Sequence, residues 1–254
     1  DKSASGANDI IGKAKSSVMA WATSFGAVST AVAFVTATIG KMNESLQKAK
    51  ELTERLKNDR ANLASVATSV DDYAKLEQRS NAAAIQYGID PDLARQMMFS
   101  ARSSGYEASF ETAARYGAFF DPNAVSNTAD KLPQIFRGQV DAAQSLNATY
   151  AAAQASNLNF AQIAEAAPKA AEGGAMIGAS PQETLGVLSV LAAQFGRGST
   201  AADRMSAFGT KMALEDGFQG LGFIESVRKL QAMSPEERSG ILGNSQELNV
   251  AYQK

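Results

Sequence analysis

The sequence predicts an all-α protein: a long N-terminal coiled-coil or bundle helix followed by a multi-helix, alanine-rich domain. Three observations carry that expectation. Alanine, which loses the least entropy on entering a helix, fills 48 of the 254 positions. No stretch alternates apolar and polar residues with the period of two that a half-buried strand needs. Through the first third of the chain, apolar residues recur at alternating steps of three and four.

That stripe runs through Ile11, Val18, Trp21, Phe25, Val28, Val32, Val35, Ile39, Met42, Leu46, Leu56, Leu63 and Val70, with Thr53 and Arg60 as its only breaks. A mean spacing of 3.5 residues held over many turns favours a left-handed coiled coil, because a straight helix would rotate its stripe off the partner. Residues 11 to 74 as one helix would span about 96 Å, so the expected partner is another long helix and the expected assembly a homo-oligomer. Arg60, charged on the seam, is expected where helices splay or where a carboxylate meets it.

The flanks of the stripe change at Lys41. No residue from Ser16 to Gly40 is charged, whereas Lys41 to Arg60 holds ten charges, among them Glu44 with Lys48 and Glu51 with Arg55 at helical i,i+4 spacing. A charge-free run of this length is enough for a bilayer span, with Trp21 near one end. The many Ala, Thr and Ser residues favour an interhelical face instead. Residues 1–78 are therefore read as one domain and 79–254 as a second.

Beyond residue 78 the helices shorten and their starts can be read. Asp90, Asp121, Ser180 and Ser234 each precede a proline, placing a side-chain acceptor at the N-cap and a residue without N–H at the first helical position. Glu183 and Glu237 lie three residues after Ser180 and Ser234, the spacing of a capping box. Glycines 88, 105, 117, 138, 173, 196, 217 and 243 mark expected helix ends. Eight to ten helices should follow the long one.

Chemistry is sparse. The chain has no histidine and no cysteine, which removes the commonest general base, the commonest transition-metal ligand and any thiolate nucleophile. The net charge of −2 gives no basic field for nucleic acid, so sequence-specific binding is not expected. Gly173 to Ser180 carries the glycine spacing of a phosphate loop, but Ala179 stands where its lysine belongs and a helix precedes it; an inter-helix hinge is the expectation. Asp71-Asp72, Asp90 with Asp92 and Glu236-Glu237 are explained by helix starts. Met97-Met98-Phe99 and Phe119-Phe120 are expected in the core. No cofactor, no metal and no catalytic residue is expected. The chain opens on Asp1 rather than Met, as a fragment or processed product would.

From Gly178 to Ala213 the chain reads Gly178, Ser180, Glu183 and Thr184, leucines 188 and 191, then Gly196 and a Gly198-Ser199 turn into a second helix of small residues. This resembles the tape-measure proteins of long-tailed bacteriophages, and Gly220 to Val227 and the Ser234 helix start resemble the closing helices of that family. Asp203-Arg204 departs from the family's usual Gly-Thr. The resemblance implies a structural virion protein, a helical ruler in the tail lumen that sets tail length, leaves during genome ejection, and has itself, tail-tube and tail-tip proteins as partners. No enzymatic role is expected, because the residues offer no candidate pair of acid and nucleophile. The alternative is a membrane-active helical protein, a pore-former or effector, that uses residues 16–40 in a host membrane.

Overall fold

A computed structural model describes residues 28–243, with side chains from Gly40 onward, Met42 and Leu52 excepted. Every regular element among them is helical. In chain order they are α1 (Val28–Val66), α2 (Val70–Tyr87), α3 (Pro91–Ser103), a 3₁₀ turn (Glu107–Ser109), α4 (Phe110–Gly117), α5 (Pro122–Ile135), α6 (Ala142–Ser156), α7 (Phe160–Met176), α8 (Pro181–Phe195), α9 (Gly198–Ala213), α10 (Gly222–Ala232) and α11 (Pro235–Leu242). Among the described residues ten α-helices thus follow the long one, as the sequence led us to expect.

α1 is a single helix of 39 residues, about 58 Å long. The expected helix continues through residue 74, and here the structure differs. Ser69, with an extended φ of −159°, caps a new helix by accepting from the Asp72 amide, while the Thr68 amide and hydroxyl both donate to Asp72 Oδ2 at 2.8 and 2.9 Å. Ser, Thr and Asp compete with the helix ladder for backbone groups, and at 67–69 that competition ends α1. Val70, placed on the seam by its spacing, is therefore the first residue of α2 and 84% exposed. The stripe is corrected accordingly: it does not continue past Val66.

The chain divides into two compact units between Asn58 and Asp59, not between residues 78 and 79. In the first unit, the described side chains from Gly40 to Arg55 are exposed, Leu46 among them at 46%. The second unit begins within the last turns of α1. Leu63 there is fully buried, and Arg60 meets Glu77 of α2 at 3.5 Å.

Two apolar cores build the second unit. The first joins Leu63 and Leu76 with Met97, Met98, Phe110, Val125, Leu146 and Phe160; the second joins Leu132, Phe136, Ile163, Leu185, Leu188, Met205, Met212 and Phe223. α7 serves both, contributing Phe160 and Ala164 to one and Ile163, Ala166, Ala167, Ala170 and Ala171 to the other. Each large side chain so buried contributes about 1.5–3 kcal/mol, while the alanines let neighbouring backbones come close. α7 packs on α5, α6, α8 and, most extensively, α9.

The closest approach is made without side chains. Gly173 lies inside α7, and a Cβ on it would stand 2.7 Å from Ser206 Cα; one on Gly209 of α9 would stand 2.2 Å from the Gly173 carbonyl oxygen. The hinge expected at Gly173-Gly174 is thus a helix crossing. α7 continues to Met176 before Gly178, with φ of +76°, turns against the Gly220 backbone.

Ion pairs tie α2, α3 and α4 together. Arg79 bonds Glu107 at 2.6 Å and Glu111 at 2.8 Å, and Arg102 bridges Glu107 and Asp72. Hydrogen bonds from the Thr68 amide and hydroxyl, then the Arg102 charge, hold the Asp72 carboxyl below its ordinary 3.8.

Candidate functional site

Helix caps are where the sequence reading can be checked atom by atom. Asp90 accepts from the Asp92 and Leu93 amides, and Asp121 from those of Asn123 and Ala124. Ser234 and Glu237 close a reciprocal capping box, and the Ser234 amide, then its hydroxyl, lower the Glu237 carboxyl from its ordinary 4.5. Two further boxes, Asp141 with Gln144 and Asn159 with Gln162, are not announced in the sequence by a proline after the cap. The same [ST]-x-x-[EQ] logic, widened to Asp and Asn, finds both.

Glu183 is a correction. Ser180 does accept from the Glu183 amide at 3.1 Å, but the Glu183 carboxylate does not return to Ser180. It reaches across to α10 and accepts from the Ile224 amide at 2.8 Å, supplying an acceptor to a helix whose own N-cap, Leu221, has none. A Cβ on Gly222 would meet this carboxylate at 2.5 Å, and a φ of +75° there itself favours glycine. α8 and α10 are thereby pinned side by side at their N-terminal ends.

Between them lies a concavity of about 600 Å³. α9 supplies its floor through Met205 and Phe208, and Phe208 stacks on Phe223 of α10 with centroids 6.2 Å apart. Val187, Val190 and Leu191 form one wall, Ile224 and Val227 the other; Glu183 and Arg228 are the charged groups on its lining. Val190 and Ile224 remain 54% and 48% exposed. A long apolar trough between two helices, with charge only at its edges, has the form that accepts an amphipathic helix. Among the described residues no group of three or more His, Cys, Asp or Glu side chains is placed to hold a metal ion.

The seam is only partly visible. Ile11, Val18, Trp21 and Phe25 lie outside the described residues; Val28, Val32, Val35, Ile39 and Met42 fall on α1, their side chains outside the description. Leu46 is exposed, Leu56 half-buried and Leu63 belongs to the globular core. No helix among the described residues is long and apolar enough to cross a membrane, and residues 16–27 of the charge-free run lie outside them. Comparison with family models, with characterised proteins and with solved structures gave no match.

Proposed function

We propose that this chain is a structural component of a bacteriophage tail, a helical ruler that self-associates along α1 in the tail lumen, sets tail length and leaves with genome ejection. The observation that carries the reading is α1 itself: 39 residues in one helix, an apolar stripe along it, and Leu46 of that stripe exposed amid solvated charge. A stripe left exposed on a lone helix costs free energy that a parallel copy recovers. Rise per residue is fixed, so length of chain converts to distance. The trough between α8 and α10 suits a helix of a tail-tube or tail-tip partner, and the motif that resembles the tape-measure family builds two of its walls.

The chain has no cysteine of its own, so single cysteines report contacts without interference. Leu46→Cys, on the stripe, should oxidise to a disulfide-linked dimer, while Glu51→Cys, on the opposite face of α1, should not. Equal linking at both positions, or none at either, would remove the seam. Ruling length is tested separately: in the virion that carries the chain, deleting three heptads, residues 38 to 58, should shorten the tail by about 32 Å, and an unchanged tail would end the ruler reading while leaving self-association standing.

A further inference from the structure

Phe119 and Phe120 do not share the environment expected of a core pair. Phe120 is half-buried and stacks on the buried Phe160 ring with centroids 4.7 Å apart, but Phe119 is 79% exposed. Leaving a phenyl group in water forgoes about 2 kcal/mol of burial. Tyr150, 39% exposed on α6, meets Phe120 at 5.8 Å with the rings inclined by 50°. Rings from the α4–α5 turn, from α6 and from the start of α7 thus converge on one patch of surface.

Two hollows flank the patch, and both are bounded by Phe119, Phe120 and Tyr150. They differ in charge. The larger, about 550 Å³, also holds Arg115, whose guanidinium lies 5.9 Å from the Tyr116 ring centroid. The smaller, about 340 Å³, counts Asp121, Gln154 and Asn159 among its lining residues and no Lys or Arg. Asp121 caps α5 through Oδ1 alone, at 2.7 and 3.1 Å; among the described residues Oδ2 accepts no bond.

Aromatic faces carry negative potential, and a carboxylate beside them adds to it. An anion is repelled by such a lining, and a small metal ion would exchange a full hydration shell for one carboxylate. A large, weakly hydrated cation loses little on leaving water and gains from every ring face it meets. The protein already uses this chemistry next door, where Arg115 rests over Tyr116. We propose that the hollow bounded by Phe119, Phe120, Tyr150 and Asp121 is a binding site for an organic cation of the quaternary-ammonium class, such as a choline-type headgroup. It stands independently of the ruler reading.

Calorimetric titration of the full chain with choline, and with the neutral isostere dimethylbutanol in which carbon replaces nitrogen, tests it. Choline should bind saturably with a Kd on the order of millimolar, and the isostere at least about fivefold more weakly. Phe119→Ala and Tyr150→Ala should each weaken choline about tenfold, the size of one desolvated cation–π contact. Both rings are exposed enough for thermal melting to show the fold intact. Asp121→Asn keeps an equally good cap and removes only the charge, so it should weaken choline about threefold at unchanged Tm. Ile85→Ala, exposed on α2 away from the patch, should change nothing. Equal binding of the isostere would make the patch a plain apolar surface, and absence of saturation, or wild-type affinity in Phe119→Ala, would equally overturn the site.

Discussion

At the scale of single residues, Glu183 shows what a local motif leaves open. The Ser180 cap depends on an amide three positions away, within reach of sequence rules; the destination of the Glu183 carboxylate depends on a helix 41 residues further on. Replacing Glu183 with Ala should cost about 1 kcal/mol in urea unfolding, the worth of a cap or a part-exposed hydrogen bond, and should speed exchange of the Ile224 amide. Gln keeps an acceptor, so Glu183→Gln should retain most of that stability. An unchanged Ile224 exchange rate in Glu183→Ala would deny the bridge. Asp72 supplies a pH dependence whose sign follows from its environment. Its folded carboxyl is held below the ordinary 3.8, first by the Thr68 amide and hydroxyl and then by Arg102. Protons therefore bind the unfolded chain more readily, so the contribution is complete above pH 3.8 and fades as pH falls through the lower folded value. Asp72→Asn should flatten the fall of stability on acidification below that point, and an unaltered pH profile would show that the cap at Ser69 does not depend on charge.

At the scale of elements, the four Xaa-Pro helix starts were legible because capping is written in adjacent residues. The end of α1 was not. Ala67, Val70 and Ala74 continue the apolar spacing without a fault, and periodicity cannot see Thr68 and Ser69 turning the backbone out of the ladder toward Asp72. Phe119 fails for the opposite reason: its hydrophobicity is read correctly, its position at a turn is not. The glycines divide by what surrounds them. Gly173 reads as punctuation in the sequence, yet together with Gly209 it lets α7 and α9 cross backbone to backbone. Gly209→Ala would place a methyl 2.2 Å from the Gly173 oxygen, where only backbone can yield, and should cost about 1–3 kcal/mol. Gly186, in α8, faces open space: a methyl added there would meet nothing within 4 Å. Gly186→Ala should accordingly stabilise by about 0.5–1 kcal/mol through lost unfolded-state entropy. Opposite signs in chemical denaturation separate crossing from mere permissiveness; a destabilising effect at both positions would refute the distinction.

At the scale of the whole molecule, the all-helical class was legible because composition and periodicity agree, whereas the division into units was not. The long stripe and the shortening of the helices beyond residue 78 suggested a boundary by pattern, but a domain is defined by where burial begins. Among the described side chains burial begins at Asp59, which is 7% exposed and accepts from Gln96, and at Leu63, which is fully buried. Both cores of the second unit are assembled from residues at or beyond that point. A chain starting at Asp59 should therefore unfold in urea with the same midpoint and slope as the globular transition of the full chain. One starting at Ser69 lacks Leu63 and the Arg60–Glu77 pair, and should lose about 2–5 kcal/mol, nearly all from the vacated leucine site, since an exposed ion pair is worth little. The slope should barely change, because the surface exposed on unfolding differs by only a few side chains. If the two truncated chains unfold alike, Leu63 is not part of the core; if the longer one cannot fold, the boundary at Asp59 is wrong. The pattern expected, independence of the first and dependence of the second, would make the final turns of α1 part of the globular unit and leave the stripe that precedes them to whatever helix pairs with it.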